Sequence, residues 1–235
     1  MQTRRIERGR DEVAVRPAPA TGEILGDLRF RTLLGAEAWA ALPAEVRSRF
    51  SRRLRDGDAI TYAGEIVESQ RRAQGWWLAQ AARLIGAPLP LGDEVDTAAV
   101  VALTEDARTG GQVWTRVYGR RRGFPQVIHS SKRFAGPTGL EEYLGCGFGI
   151  ALTVRAESAG LHFLSDHYFL ALGRWRLRLP RWLSPAALTV SHLHRDDGRF
   201  AFVLSLRHPL GGEILRQTGL FHERRNAATE ALRHD

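Results

Sequence analysis

The sequence predicts an α+β protein: a strongly curved, mostly antiparallel β-sheet or open barrel of about eight to nine strands, with N-terminal helices packed on it. Three observations carry that expectation. From Thr97 onward apolar residues recur with period two, and no helical pattern of useful length interrupts them. Parallel neighbours would need crossovers of about a dozen residues, so short turns between the runs mean antiparallel pairing. A meander of that many strands curls, and closing or half-closing it hides the edges.

Along the chain, residues 1–22 have basic side chains but no apolar run of signal-peptide type, and are expected to form a flexible arm. One α+β domain is expected over residues 23–223, helical over about 35–86 and sheet over about 97–223, with a tail over 224–235. "GAEAWAALPAEVRSRF" (Gly35–Phe50) reads as two short helices around Pro43, with Leu42, Val46 and Phe50 as an apolar stripe. "AITYAGEIVES" is a first strand, with Ile60, Tyr62 and Ile66 on one face. "QRRAQGWWLAQAARLIGAPLPLG" is the clearest helix, ended by Gly86 and the prolines behind it. Its predicted core side holds Trp77, Ala81 and Leu84, flanked by Leu78 and Ile85, and the helix is expected on or across the concave side of the sheet. Eight further runs read as strands, among them "YLGCGFGIALTVRAE" as one strand bent at its glycines.

Composition narrows the function. Charged residues make up 26% and hydrophobic ones 43%, and no run is long enough to span a membrane. Cys146 is the only cysteine, so no disulfide can form within the chain and a Cys-rich zinc site is excluded. It is expected to be a buried structural thiol, and the location cytoplasmic. The net charge of +8 invites a nucleic-acid partner, but the arginines are spread along the chain, which argues against one. Lys132 is the only lysine among 34 basic residues, which reads as the codon bias of a GC-rich genome.

The densest chemistry is "SHLHRDDGRF" (Ser191–Phe200). A two-residue Asp197-Gly198 turn would pair Asp196 with Arg199. A three-residue loop with Gly198 left-handed would pair Arg195 with Arg199 and put Phe200, Phe202 and Leu204 on the face of His194, His192 and Val190. The second register gathers the apolar residues on one side and is the expected one. It points His192 and His194 to a concave, phenylalanine-lined face. In "GLHFLSDHYFL", His167 shares the more apolar face with Phe163 and Phe169. A metal on His192 and His194 would need a third ligand such as His129, His167 or His222, which sequence does not place; no cofactor is predicted.

Several phrases together resemble a known family. They are "WTRVYGRRRGF" (Trp114–Phe124), "GIALTVRAESAGLHF" (Gly149–Phe163), "RWRLRLPRWLSP" (Arg174–Pro185), "DDGRFAFVLSLRHPLGG" (Asp196–Gly212) and "LRQTGLF" (Leu215–Phe221). Their order is similar to that of a bacterial domain of unknown function, family 4166, over roughly Leu34 to Phe221. Tyr118, Arg120 and Gln217 depart from the residues common there. The resemblance implies a domain found alone or joined to saccharopine-dehydrogenase-like reductases, and it carries over no catalytic residue.

The expected function is binding of a small hydrophobic or lipid-like ligand in the concave cavity of the sheet. Trp114, Phe163, Phe169, Trp175, Phe200 and Phe202 are its expected wall. His192, His194 and His167 are its polar anchors, and Arg116 or Arg174 would meet an anionic head group. Two alternatives stand beside it: an enzyme using histidine acid–base chemistry in the same cavity, and a module docking a reductase partner. No transmembrane segment is expected, though contact with a membrane surface is compatible with the sequence.

Overall fold

A computed structural model describes residues 27–54, 57–86 and 88–224. The expected arm, residues 1–22, and residues 225–235 of the expected tail lie outside the described residues. Three short helices come first: α1 (Arg29–Leu34), α2 (Ala36–Ala40) and α3 (Ala44–Phe50), the last two flanking Pro43. Strand β1 (Ala59–Arg71) leads into α4 (Ala73–Ala81), which tightens into a 3-10 turn over Ala82–Ile85 and stops at Gly86 with φ 104°. Ten more strands complete the chain: β2 (Thr97–Asp106), β3 (Gly111–Tyr118), β4 (Gln126–Arg133), β5 (Glu141–Gly145), β6 (Phe148–Glu157), β7 (Gly160–Leu172), β8 (Trp175–Arg178), β9 (Ala187–His194), β10 (Phe200–His208) and β11 (Gly212–Arg224).

All pairings are antiparallel, in the order β6-β5-β4-β3-β2-β1-β11-β10-β9-β7, and β6 also pairs β7. That last pairing closes ten strands into a barrel. β8 stays outside, on the outer half of β7. The count exceeds the expected eight to nine for two local reasons. Cys146 (φ 48°) and Gly147 (φ 80°) form a tight turn that splits "YLGCGFGIALTVRAE" into β5 and β6, a hairpin where a bend was expected. The arginine-rich segment after Gly173 supplies β8. Cys146, at the tip of the hairpin, is exposed and not a buried thiol.

Opposite ends of the barrel are treated differently. At the end holding the start of β1 and the close of β9, α1–α3 form a plug: Phe30, Val46 and Phe50 are buried among Leu152, Leu161 and Phe163. Phe30 packs edge-on against Phe50 and Phe163, with centroids 5.1 and 5.9 Å apart. An Arg52–Glu223 ion pair fastens the end of α3 to β11. At the other end α4 lies across β1 and β11 on a stripe of small residues.

That stripe corrects the expected helix face. Gly75, Ala79 and Ala82 are the buried positions, whereas Trp77 is 68% and Leu84 84% exposed. Trp76, at 40%, is not core either; the two indoles pack edge-to-face on each other. Large side chains are excluded because the backbone of Gly75 abuts the Ile214 carbonyl, where a Cβ would overlap the oxygen. Gly75→Ala is therefore expected to lower the unfolding midpoint in urea, although alanine at an exposed helix position would stabilise by about 1 kcal/mol. A raised midpoint would refute the close packing of α4.

Candidate functional site: a cavity in the barrel lumen

The barrel lumen holds a cavity of about 500 Å³. Each of the ten barrel strands contributes to its wall, with Ile66, Val101, Ile150, Val190, Leu204 and Phe221 typical of the lining. Leu78, Leu84 and Ile85 from α4 and its 3-10 turn border it on one side, and Leu179, Leu183 and Pro185 on another. The wall is apolar apart from a few groups, chiefly Arg116, Tyr118, Lys132, Glu142, Tyr168 and Gln217.

Three of these form a buried ionic cluster. Period two along β3 brings Trp114, Arg116 and Tyr118 inward, and along β4 it brings Ile128, Ser130 and Lys132 inward. Lys132 Nζ donates to Glu142 Oε2 at 3.0 Å. Ser130 Oγ donates to Glu142 Oε1 at 2.6 Å, and Arg116 Nη2 donates to the same oxygen at 3.0 Å and to Ser130 Oγ at 2.6 Å. Burial alone would raise the Glu142 carboxyl. The charges of Lys132 and Arg116, with the hydrogen bonds from Ser130 and Lys132, outweigh it and hold the group at about 2. Burial pulls the Lys132 ammonium below its usual value, and Glu142 opposes that pull. Lys132 also lies 4.5 Å over the Trp114 ring.

The expected hairpin register is present. Arg195 N–H donates to the Arg199 carbonyl, Gly198 is left-handed (φ 77°), and Phe200 and Phe202 stand opposite His194 and His192. Both histidines thus turn inward, but not to the cavity. His192 is 1% exposed and boxed by Phe50, Trp114, Phe200 and Phe202, and neither ring nitrogen has a hydrogen-bond partner in the protein. His194 sits at the plugged end, 3.8 Å from Glu45.

Of the expected wall, Trp114, Arg116 and Phe202 line the cavity, while Phe163 and Phe200 face inward within the packed core beside the plug. His167 and Phe169 do not line it. Ala151 pairs His167 and Leu152 pairs Ser165, which leaves Asp166 as a bulge and reverses the facing of the residues beyond it. Tyr168 therefore takes the inward place. Phe169 lies outside over Gly149, covered by Arg176 at 4.5 Å, and His167 bonds Asp166 at 2.6 Å. Arg174 and Trp175 are exposed, since the left-handed Gly173 carries the chain out to β8. Sequence reasoning misses Lys132, Glu142 and Gln217 as lining residues, although a lone lysine alternating with Ile128 and Ser130 on a strand is a usable signal. Among the described residues no three of His, Cys, Asp and Glu converge as metal ligands.

Burial holds His192 neutral, well below the usual histidine value, with Arg49 and Lys132 adding to the effect. A base with a lowered folded pKa stabilises fully above its unfolded pKa, and the contribution is lost as pH falls below it. Below about pH 6.5 the loss therefore grows as pH falls, toward a slope of one proton per molecule. His192→Leu is expected to remove that slope and to be no less stable at pH 7.5, measured by urea unfolding across the range. Equal slopes in both proteins would contradict the assignment.

No curated protein and no solved structure matches the chain. One family model does, over residues 42–221, which spans α3 and nearly the whole barrel. The chain belongs to the family described as Domain of unknown function (DUF4166).

Proposed function

We propose that the barrel binds a small hydrophobic or lipid-like ligand in its lumen and acts as a binding or carrier protein. One observation carries this reading: an apolar cavity of about 500 Å³ that all ten barrel strands wall and α4 borders. Ligand pockets of about 300–1,000 Å³ with a few placed polar groups are the usual form of small-molecule sites. Each methylene moved from water into such a wall contributes about 0.8 kcal/mol. Leu84 and Leu183 both line the cavity and are themselves exposed, so the ligand would enter between them, beside α4.

Histidine acid–base chemistry in this cavity finds little support. His162 and His167 have carboxylates nearby, Glu157 at 3.4 Å and Asp166 at 2.6 Å, but no histidine lines the cavity. Among the described residues no feature selects a reductase partner.

Native mass spectrometry of protein purified from its source tests the proposal: a co-purifying mass of lipid size is expected. Leu204→Trp, which fills the cavity from β10, is expected to abolish that mass and to weaken binding of a solvatochromic apolar dye at least tenfold, roughly the effect of losing two buried methylenes. A dye affinity unchanged by Leu204→Trp would sink the reading.

A further inference from the structure

The charges in the lumen do not cancel. Arg116 and Lys132 are two cations against the single carboxylate of Glu142, and the wall beside them is otherwise neutral: Tyr118, Tyr168, Gln217 and hydrocarbon. Nor is Glu142 free to serve a further cation. Its Oε1 accepts from Ser130 and Arg116, and its Oε2 from Lys132. The positive excess belongs to groups with donors to spare. Lys132 has three N–H bonds and gives one to Glu142, while Arg116 commits only Nη2. A lone buried charge is costly, and an anion brought in by a ligand relieves that cost.

We infer that the lumen takes a monoanionic amphiphile, its head group on Arg116 and Lys132 and its hydrocarbon along Ile150, Val190 and Leu204. This rests on the ligand-binding reading above and names its chemical class. A single negative charge matches the single excess positive one; a second, as on a phosphate monoester, would stand unpaired in apolar surroundings. A carboxylate on a hydrocarbon chain is the simplest member of the class. Charge-assisted bonds to a carboxylate are the strong kind, and the fork of Arg116 suits its two oxygens.

The test titrates a fluorescent polyene carboxylic acid and its methyl ester into the full chain. The acid is expected to bind about tenfold tighter or more, the scale of a charge-assisted contact. R116M is expected to lose that preference while keeping the affinity for the ester, which also reports that it is folded. Equal binding of acid and ester by the wild type overturns the head-group inference and leaves the cavity reading standing. Binding of neither overturns both. Should R116M not fold, the wild-type ratio alone decides.

A second inference rests on the mouth of the barrel. Between Asp166 and Asp196 the sequence has no acidic residue, and it holds "RWRLRLPRWL" over Arg174–Leu183. Trp175, Leu177, Trp182 and Leu183 are 63, 53, 81 and 50% exposed. Arg176 is paired with Glu141, and Arg178 stands 3.8 Å from Asp166; Arg174 and Arg181 make no ion pair among the described residues. Leu183 also lines the cavity, and so does Leu84, itself 84% exposed. Apolar side chains alternating with cations match a surface whose outer layer is anionic and whose inner layer is hydrocarbon. Arginine stems lie along apolar surface with their heads in the polar layer, and tryptophan favours the same boundary. We propose that this strap sets the mouth of the cavity against an anionic membrane surface.

Co-sedimentation with phosphatidylcholine vesicles, with and without phosphatidylglycerol, tests it. Binding is expected only to the anionic vesicles and is expected to fall in high salt. The double variant W182A/L183S is expected to reduce it about tenfold, as two interfacial side chains would. Leu28→Ser, beside α1 at the plugged end, is expected to leave it unchanged. Failure to bind anionic vesicles, equal binding to neutral ones, or full binding by W182A/L183S overturns the proposal, whatever the lumen holds.

Discussion

Hydrogen bonding between β6 and β7 is what makes the centre of this protein an interior. Without it, ten curved strands would be an open sheet with two edges, and the inward side chains would face water. β7 bears most of the burden, because three strands meet on it. β6 runs along one edge, β9 takes the first part of the other edge, and β8 takes the outer part. The bulge at Asp166 falls in the middle of this strand, between its two outer-edge partners. Bulges sharpen bend and twist, which closure of a small barrel demands. The residue that upsets the facing of β7 is thus part of what lets the barrel close.

Once closed, the lumen is divided into a packed part and an open one. At one end the plug helices meet Phe163, Leu161 and His192, and large rings interlock there. Toward the other end Val101, Ile150 and Val190 share the wall with Phe148, Phe202 and Phe221 and surround open space. Lys132 stands at the boundary, touching Trp114 on its cavity side and 5.6 Å from the Phe163 ring of the packed region. His192 belongs wholly to the packed region and acts there as an aromatic surface, flat and neutral. Its imidazole spends no hydrogen bond, which is an unusual use of a polar ring.

Much of the architecture was legible because period-two alternation and turn chemistry are local signals. The hairpin at Asp196-Asp197-Gly198 shows how far they reach: burial on one face chose the register, and the strands pair as that choice requires. The same rule misplaced His167 and Phe169, because one unpaired residue reverses every later facing and no composition marks it. The face of α4 was lost for a different reason. Hydrophobicity pointed to Trp77 and Leu84, while the fit of backbone to backbone at Gly75 rewards having no side chain at all. The ionic cluster was hidden by its own composition, since a lysine and a glutamate on strands ordinarily read as solvent-facing.

The solitary lysine has a chemical consequence. Arginine serves every other basic position of the chain, and a guanidinium does not acylate or form imines under mild conditions. An activated ester or an aldehyde meeting the folded protein therefore finds no side-chain amine on the described surface. To find one it must enter the lumen and reach Lys132, the only lysine of the chain. Reactivity at one nitrogen thus becomes a gauge of access to the lumen.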